Sequence, residues 1–175
     1  MNPLPKKALH SMLRVNQAGE FGAIRIYKGQ QDVLGDSSIG PTLTHMYDQE
    51  KQHKDLFDAL LVKHQVRPTA LSPLWHITGY LLGYGSALLG KKAAMACTVA
   101  VEEVIDAHYQ EQLDTLSIYE APQDIKDTIE KCHVEECEHR DIGLQHGAQS
   151  LPAYLLFSTA IKGAAKLAIW LSKRI

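Results

Sequence analysis

One phrase occurs twice in this chain: Glu50-Lys51-Gln52-His53-Lys54-Asp55 and Glu136-Cys137-Glu138-His139-Arg140-Asp141, each a Glu-x-x-His with an Asp two residues on. Residues three apart on an α-helix share a face, so the Glu and His of each phrase can address one cation together. A lone acidic residue on an apolar helical stripe precedes each phrase. Glu20, in Ala18-x-Glu20, has Tyr27 and Gln30 seven and ten residues further on, and Glu102, in Ala100-x-Glu102, has Tyr109 and Gln112 at the same offsets. The two halves read as duplicates. Glu20 lies thirty residues before Glu50 and Glu102 thirty-four before Glu136, about the distance needed to run up one long helix and return down the next.

Together the halves offer four carboxylates and two imidazoles: Glu20, Glu50, His53, Glu102, Glu136 and His139. That is the ligand set of the dinuclear ferritin-like carboxylate proteins, in which two helices give one Glu each and two give Glu-x-x-His. Four buried carboxylates alone would repel and lose hydration, whereas two divalent cations with neutral imidazoles make the group formally neutral and stabilise the core around it. A single Glu-x-x-His is weak evidence. Here both copies sit on faces that are otherwise mostly apolar: Leu43, Met46, Tyr47, Phe57 and Leu60 around the first, Ile125, Ile129, Cys132, Gly143 and His146 around the second. Two irons suit a mixed carboxylate and imidazole shell with open positions for oxygen chemistry, and manganese or zinc suits the same donors.

Spacing selects within the acidic pairs. Only Glu136 of Glu135-Glu136 stands three before His139, and only Glu102 of Glu102-Glu103 aligns with Glu20; Glu103, Glu135 and Glu138 are expected to face solvent or to support the ligands. Asp55 and Asp141 lie roughly 200° round the helix from the histidines and point elsewhere. His108 and Tyr109 are candidates for a proton or electron relay to the metals, while Tyr27 reads better as a hydrogen-bonded core aromatic. His10, His45, His64, His76, His133 and His146 have no paired context.

The elements that must hold these groups are helical throughout. Six helices are expected, over about 6–34, 41–67, 72–90, 91–118, 122–150 and 152 to the end, with the first, second, fourth and fifth forming a four-helix bundle. The fold class is therefore all-α, a single ferritin-like domain over 1–175 built from pseudo-repeats at about 6–67 and 91–150. The other two helices differ. No charged residue occurs from Pro68 to Gly90, where Gly79, Gly83, Gly85 and Gly90 interrupt an apolar text; the last helix mixes Leu155, Leu156, Phe157, Ile161, Leu167 and Trp170 with Lys162, Lys166, Lys173 and Arg174. Both read as membrane-facing, over about 72–90 and 152–173, dipping into a bilayer surface rather than crossing it.

At 175 residues, 45% hydrophobic and 22% charged, the chain can bury a substantial core. A formal net charge of −2 and the lack of a basic, aromatic-interleaved patch argue against nucleic-acid binding. Cys97, Cys132 and Cys137 form no Cys-x-x-Cys pair and read as reduced core residues. The first residues show no apolar signal core. No Gly-x-Gly-x-x-Gly loop follows a strand, so a nicotinamide donor is expected to bind loosely or to act through another protein.

Longer stretches carry a resemblance. Arg14-Val15-Asn16-Gln17-Ala18-Gly19-Glu20, Asp48-Gln49-Glu50-Lys51-x-His53, Ala94-Met95-Ala96-Cys97-Thr98-Val99-Ala100-Val101-Glu102-Glu103 and Glu135-Glu136-x-Glu138-His139-x-Asp141-Ile142-Gly143-Leu144 resemble the demethoxyubiquinone hydroxylase family over essentially the whole chain. The resemblance implies the same six ligands for two iron ions. It implies insertion of one atom of O2 into the ring of a prenylated quinone precursor, with NADH or a related reductant. It also implies a peripheral position on the cytoplasmic face of a bacterial inner membrane, or the matrix side of the mitochondrial one, with a lipid-binding accessory protein and a homo-oligomer as the expected partners. Gln17 and Phe21 depart from the family pattern, at positions that are not ligands. The competing expectations are a ferritin-like ferroxidase or iron-handling protein on the same bundle, and a membrane-bound scaffold that keeps the ligands only structurally.

Overall fold

A computed structural model describes residues 2–175, and in it the apolar periodicity becomes six α-helices: α1 (Lys6–Leu34), α2 (Gly40–Lys63), α3 (Ser72–Leu88), α4 (Lys91–Ile118), α5 (Gln123–Gln145) and α6 (Tyr154–Ser172). Two ends fall short of the sequence expectation. α2 stops at Lys63 because Gln65 takes a left-handed conformation (φ 54°) and Pro68 follows, and proline pushes its predecessor out of the helical region. α5 stops at Gln145, since Gly147 is left-handed (φ 80°) and opens a short 3-10 turn, Ala148–Ser150. Proline sets the starts, standing in the first turn of α2 and α3 and just before α1 and α5, where its missing N–H costs nothing.

α1 packs on α2 and α4 on α5, and the two pairs close into the bundle. α3 lies along α1 and α6 lies chiefly along α4. The duplication therefore extends further than the ligand pattern suggests: each half is a three-helix unit whose third helix leans on its first. Asn2–Leu4 is pinned beside Glu120 by Leu4 N–H to Glu120 O and Glu120 N–H to Asn2 O, both 2.9 Å. Among the described residues this isolated bridge is the extent of β pairing.

The glycines of α3 have a role that their number alone does not reveal. A Cβ on Gly83 would stand 1.9 Å from Ile26 O, one on Gly79 2.8 Å from Gly22 O, and one on Gly29 of α1 2.4 Å from Tyr80 O. These residues let two helix backbones touch. The apolar side chains of α3 divide accordingly: Leu82 packs inward with Ile26, Cys97, Val101 and Ile161, while Leu74, Ile77, Leu81, Tyr84 and Leu88 form an outward stripe at helical spacing. α6 exposes Leu155, Leu156, Leu167 and Trp170. It is long and apolar enough by composition to cross a membrane, with 17% of its most apolar window buried. One expectation for α6 changes. Lys162 is not part of a free basic fringe, because its ammonium pairs with Glu103 of α4.

Candidate metal centre

The apolar stripes of α1, α2, α4 and α5 meet at the bundle centre, and each contributes its acidic residue there. Glu20, Glu50, Glu102 and Glu136 are all at most 3% exposed, and His53 and His139 are fully buried. They form two overlapping groups, Glu20–Glu50–His53–Glu136 and Glu50–Glu102–Glu136–His139, in which the donor atoms lie within 4.8 Å of one another. Glu50 and Glu136 belong to both groups. Glu136 divides its oxygens between the rings, Oε1 accepting from His53 Nδ1 at 3.0 Å and Oε2 from His139 Nδ1 at 3.1 Å. Glu50 straddles the same rings, Oε1 3.2 Å from His139 Nδ1 and Oε2 3.9 Å from His53 Nδ1. Glu20 and Glu102 complete the two ends.

Both oxygens of Glu50 are buried without a hydrogen-bond partner. A carboxylate so placed is costly unless a cation takes its lone pairs. The donor set therefore fits two divalent metals, one for each four-residue group. Without metal, protons must do the work. Burial first, then repulsion from neighbouring carboxylates, pushes Glu50 and Glu102 well above the usual carboxylate range. Glu136 goes the other way: burial opposes its charge, but hydrogen bonds from His139 and His53 hold it down at about 2. Both imidazoles are raised, since their bonds to carboxylates outweigh the burial that disfavours their charge.

Each histidine is held from behind. His53 Nε2 donates to Glu135 Oε2 at 2.5 Å and His139 Nε2 to Gln49 Oε1 at 3.0 Å, which turns Nδ1 of each ring toward the clustered carboxylates as the atom that would meet a metal. Glu135 thus holds His53, a candidate ligand, from behind. Gln49 was missed, although its signal was present: it precedes Glu50 as Glu135 precedes Glu136. The tyrosines also cross between halves. Tyr27 Oη donates to Glu102 at 2.9 Å and Tyr109 Oη donates to Glu20; burial, then the adjacent carboxylates, keeps both phenols neutral.

Beside the metal chamber lies an apolar cavity of about 430 Å³ between α1, α3, α4 and α6, within the ~300–1,000 Å³ range of small-molecule sites. Gly19, Glu20, Ala23, Val101 and Ile105 line both this cavity and the small space among Glu50, Glu102 and Glu136. An apolar molecule in the cavity would thus meet the metal ligands at its inner end.

Comparison with known proteins agrees with this geometry. The family described as "Ubiquinone biosynthesis protein COQ7" matches residues 7–172. The chain belongs to this family. It is 52% identical over 176 residues to the 3-demethoxyubiquinol 3-hydroxylase of Rhodospirillum rubrum, covering 99% of this chain and 82% of that protein. It is 47% identical over 178 residues to a protein of Homo sapiens named NADPH-dependent 3-demethoxyubiquinone 3-hydroxylase, mitochondrial, covering 100% and 82%. The 5-demethoxyubiquinone hydroxylase, mitochondrial, of Saccharomyces cerevisiae is 37% identical over 182 residues, covering 95% and 78%.

Other residues of this COQ7-family chain find defined places. His108 lines the cavity and accepts at Nε2 from Gln112 Nε2 at 2.7 Å; the same amide donates to Asn16 Oδ1 at 2.7 Å, and Asn16 Nδ2 returns a bond to Gln112 Oε1 at 2.8 Å. Burial, with a smaller push from Lys173, lowers His108 to about 4, so it is neutral near pH 7. Gln17 donates to Asp58 at 2.9 Å and Phe21 stacks on His76. Asp55 and Asp141 are exposed, Asp141 pairing with Arg140. Asp106, His133 and Cys137 form a separate half-buried group outside the centre. Both oxygens of Asp106 are taken there, by His133 Nε2 and Arg140 Nη1 at 2.6 Å each, which ties α4 to α5.

Proposed function

We propose that this protein is a di-iron monooxygenase that hydroxylates the ring of a demethoxyubiquinone-type intermediate in ubiquinone biosynthesis. The observation that carries the reading is the junction of two features: a six-residue carboxylate and histidine centre, and an apolar cavity whose inner wall is Glu20 and Gly19. Ferroxidase chemistry needs the first and has no use for the second. The names of the matched relatives point to the same reaction.

In this reading Glu20, Glu50, His53, Glu102, Glu136 and His139 hold two iron ions, whose open positions supply oxygen activation when bound. The protein's own residues do the rest. Gly19, on the inner wall of the cavity, puts no side chain into the space offered to the ring, and the apolar walls exclude water from the reacting position. Tyr27 and Tyr109 fix the outer carboxylates as neutral hydrogen-bond donors. His108, neutral and steadied by the Asn16–Gln112 pair, offers a polar contact in a cavity otherwise built for a prenyl chain, and with Tyr109 forms the expected relay between ring and centre. The electron donor is a reduced nicotinamide. NADH was the expectation from sequence, and several relatives are named for NADPH.

A prenylated quinone resides in lipid, which explains the outward apolar stripes of α3 and α6. These stripes, flanked by Lys166, Lys173 and Arg174, seat the protein as a peripheral enzyme on a bilayer or on a lipid-binding partner. The deciding experiment supplies purified protein with iron, a demethoxyubiquinone, reduced nicotinamide and isotopically labelled O2. One labelled atom in the quinone ring is expected. Oxidation of ferrous ion with no label in the quinone would overturn the reading in favour of iron handling.

A further inference from the structure

The two histidines of the centre face the same shared carboxylate, Glu136, through Nδ1 and differ behind. Nδ1 of each ring bonds one oxygen of Glu136, and a tyrosine crosses to the terminal carboxylate of the other half in both halves. The carboxylates in front are less even, Glu20 Oε2 standing 3.3 Å from His53 Nδ1 and Glu50 lying nearer His139 (3.2 Å) than His53 (3.9 Å). The group behind each ring breaks the internal duplication by a full charge. Gln49 and Glu135 are the corresponding residues of the two halves, each one position before a shared Glu on the helix opposite the histidine it supports. The carboxylate stands 2.5 Å from His53 Nε2 and the amide oxygen 3.0 Å from His139 Nε2. Lys131 lies 3.9 Å from the other oxygen of Glu135 with half of its own side chain in solvent, so it weakens but does not replace the contact.

A charged acceptor takes a hydrogen bond more strongly than an amide does. An imidazole whose rear N–H is held by a carboxylate becomes the more basic ligand and stabilises the higher charge on its metal. We propose that Glu135 and Gln49 are positioning residues that make the two metal positions electronically unequal, the one beside His53 having the lower reduction potential. This rests on the di-iron reading of the site. Its consequence is an ordered pair, in which a half-oxidised centre keeps its ferric ion beside His53.

The test uses the full chain loaded with iron-57. In the reduced wild-type protein, Mössbauer spectra are expected to show two ferrous doublets of equal area. Stepwise potentiometric oxidation should give two separated one-electron steps, with a mixed-valent electron paramagnetic resonance signal between them. Glu135→Gln should merge the doublets, narrow the separation and remove most of the mixed-valent signal. Gln49→Glu should narrow it too, with both steps moved to lower potential. The exchanged double variant, Gln49→Glu with Glu135→Gln, should restore a wild-type separation, a recovery that loss of packing would not produce. Should Glu135→Gln fail to retain iron, Gln49→Glu and the exchanged variant decide the matter. Coincident wild-type doublets, an unchanged separation in Gln49→Glu, or no recovery on exchange would overturn the proposal. A wild-type protein unable to hold two iron ions would overturn the di-iron reading beneath it, and the proposal with it.

Discussion

Glu136 ties the two histidines of the centre together, its two oxygens serving rings that come from different helices. Replacing it by glutamine leaves the volume and removes the charge that both imidazoles face. Glu136→Gln and His53→Ala are each expected to weaken metal binding by at least ~100-fold, more than the loss of a supporting partner costs, as read by elemental analysis after gel filtration. Retention of wild-type stoichiometry by both would exclude these residues from the site. The same groups set a pH dependence. In the metal-free protein Glu50, Glu102, His53 and His139 all have raised pKa values. The folded state therefore binds more protons than the unfolded chain, and its stability falls as pH rises past the unfolded values, ~4.3 for Glu and ~6.5 for His. Glu136, held at about 2, contributes in the opposite sense, but only below the ordinary Glu range. Metal displaces those protons and binds more firmly as pH rises. Chelator-treated protein should thus lose Tm between about pH 5 and 8, and the Tm gained on adding metal should grow over the same interval. A metal-free Tm that rises toward pH 8 would contradict the proton inventory.

At the scale of the helices, the contact of α1 with α3 depends on a few missing side chains. A methyl at Gly83 meets a backbone carbonyl that cannot rotate away, whereas one at Gly85 meets nothing within 4 Å. Gly83→Ala should therefore destabilise by ~1–3 kcal/mol despite alanine's better helix propensity, and Gly85→Ala should stabilise by ~0.5–1 kcal/mol. Chemical denaturation of the metal-loaded protein checks both signs, and equal effects would mean that the helices do not meet as described. The outward face of α3 and α6 carries a different expectation. Leu81→Asp with Trp170→Asp removes two exposed apolar anchors, each worth ~1.5–3 kcal/mol when fully buried. Vesicle flotation should drop by ~10-fold or more, with iron content unchanged. Undiminished flotation would place the bilayer contact elsewhere.

Over the whole molecule, reaction requires the cavity to open onto the metal chamber. Gly19 sits on the shared wall, and a Cβ there makes only an ordinary 3.9 Å contact with Ile105 Cδ1. Gly19→Leu is thus expected to fold, to bind metal as the wild type does, and to lower turnover of a demethoxyubiquinone by ~10-fold or more by filling the route to the centre. Labelled-oxygen incorporation measures the effect. Full activity in this variant would require the ring to enter by another path.

Six helices, and the gathering of Glu20, Glu50, His53, Glu102, Glu136 and His139 on buried faces, are legible in the chain alone. Both are consequences of local periodicity: Glu-x-x-His shares one helical face, and a stripe that is apolar except for one acid must bury that acid. The repeat of Tyr27 and Gln30 as Tyr109 and Gln112 was legible for the same reason. What lies between elements is visible only in the folded chain. Gln49 reaches His139 across ninety positions of chain, Glu135 reaches His53 across eighty-two, and Lys162 is withdrawn from the basic face by Glu103. Gly79 and Gly83 of α3, which only interrupt an apolar text in the sequence, are the surface on which α1 is pressed, and Leu82 turns inward beside an outward Leu81. Periodicity fixes which residues share a face. Which face meets which neighbour, and so where a cavity opens beside a metal centre, depends on packing that no single stretch of chain encodes.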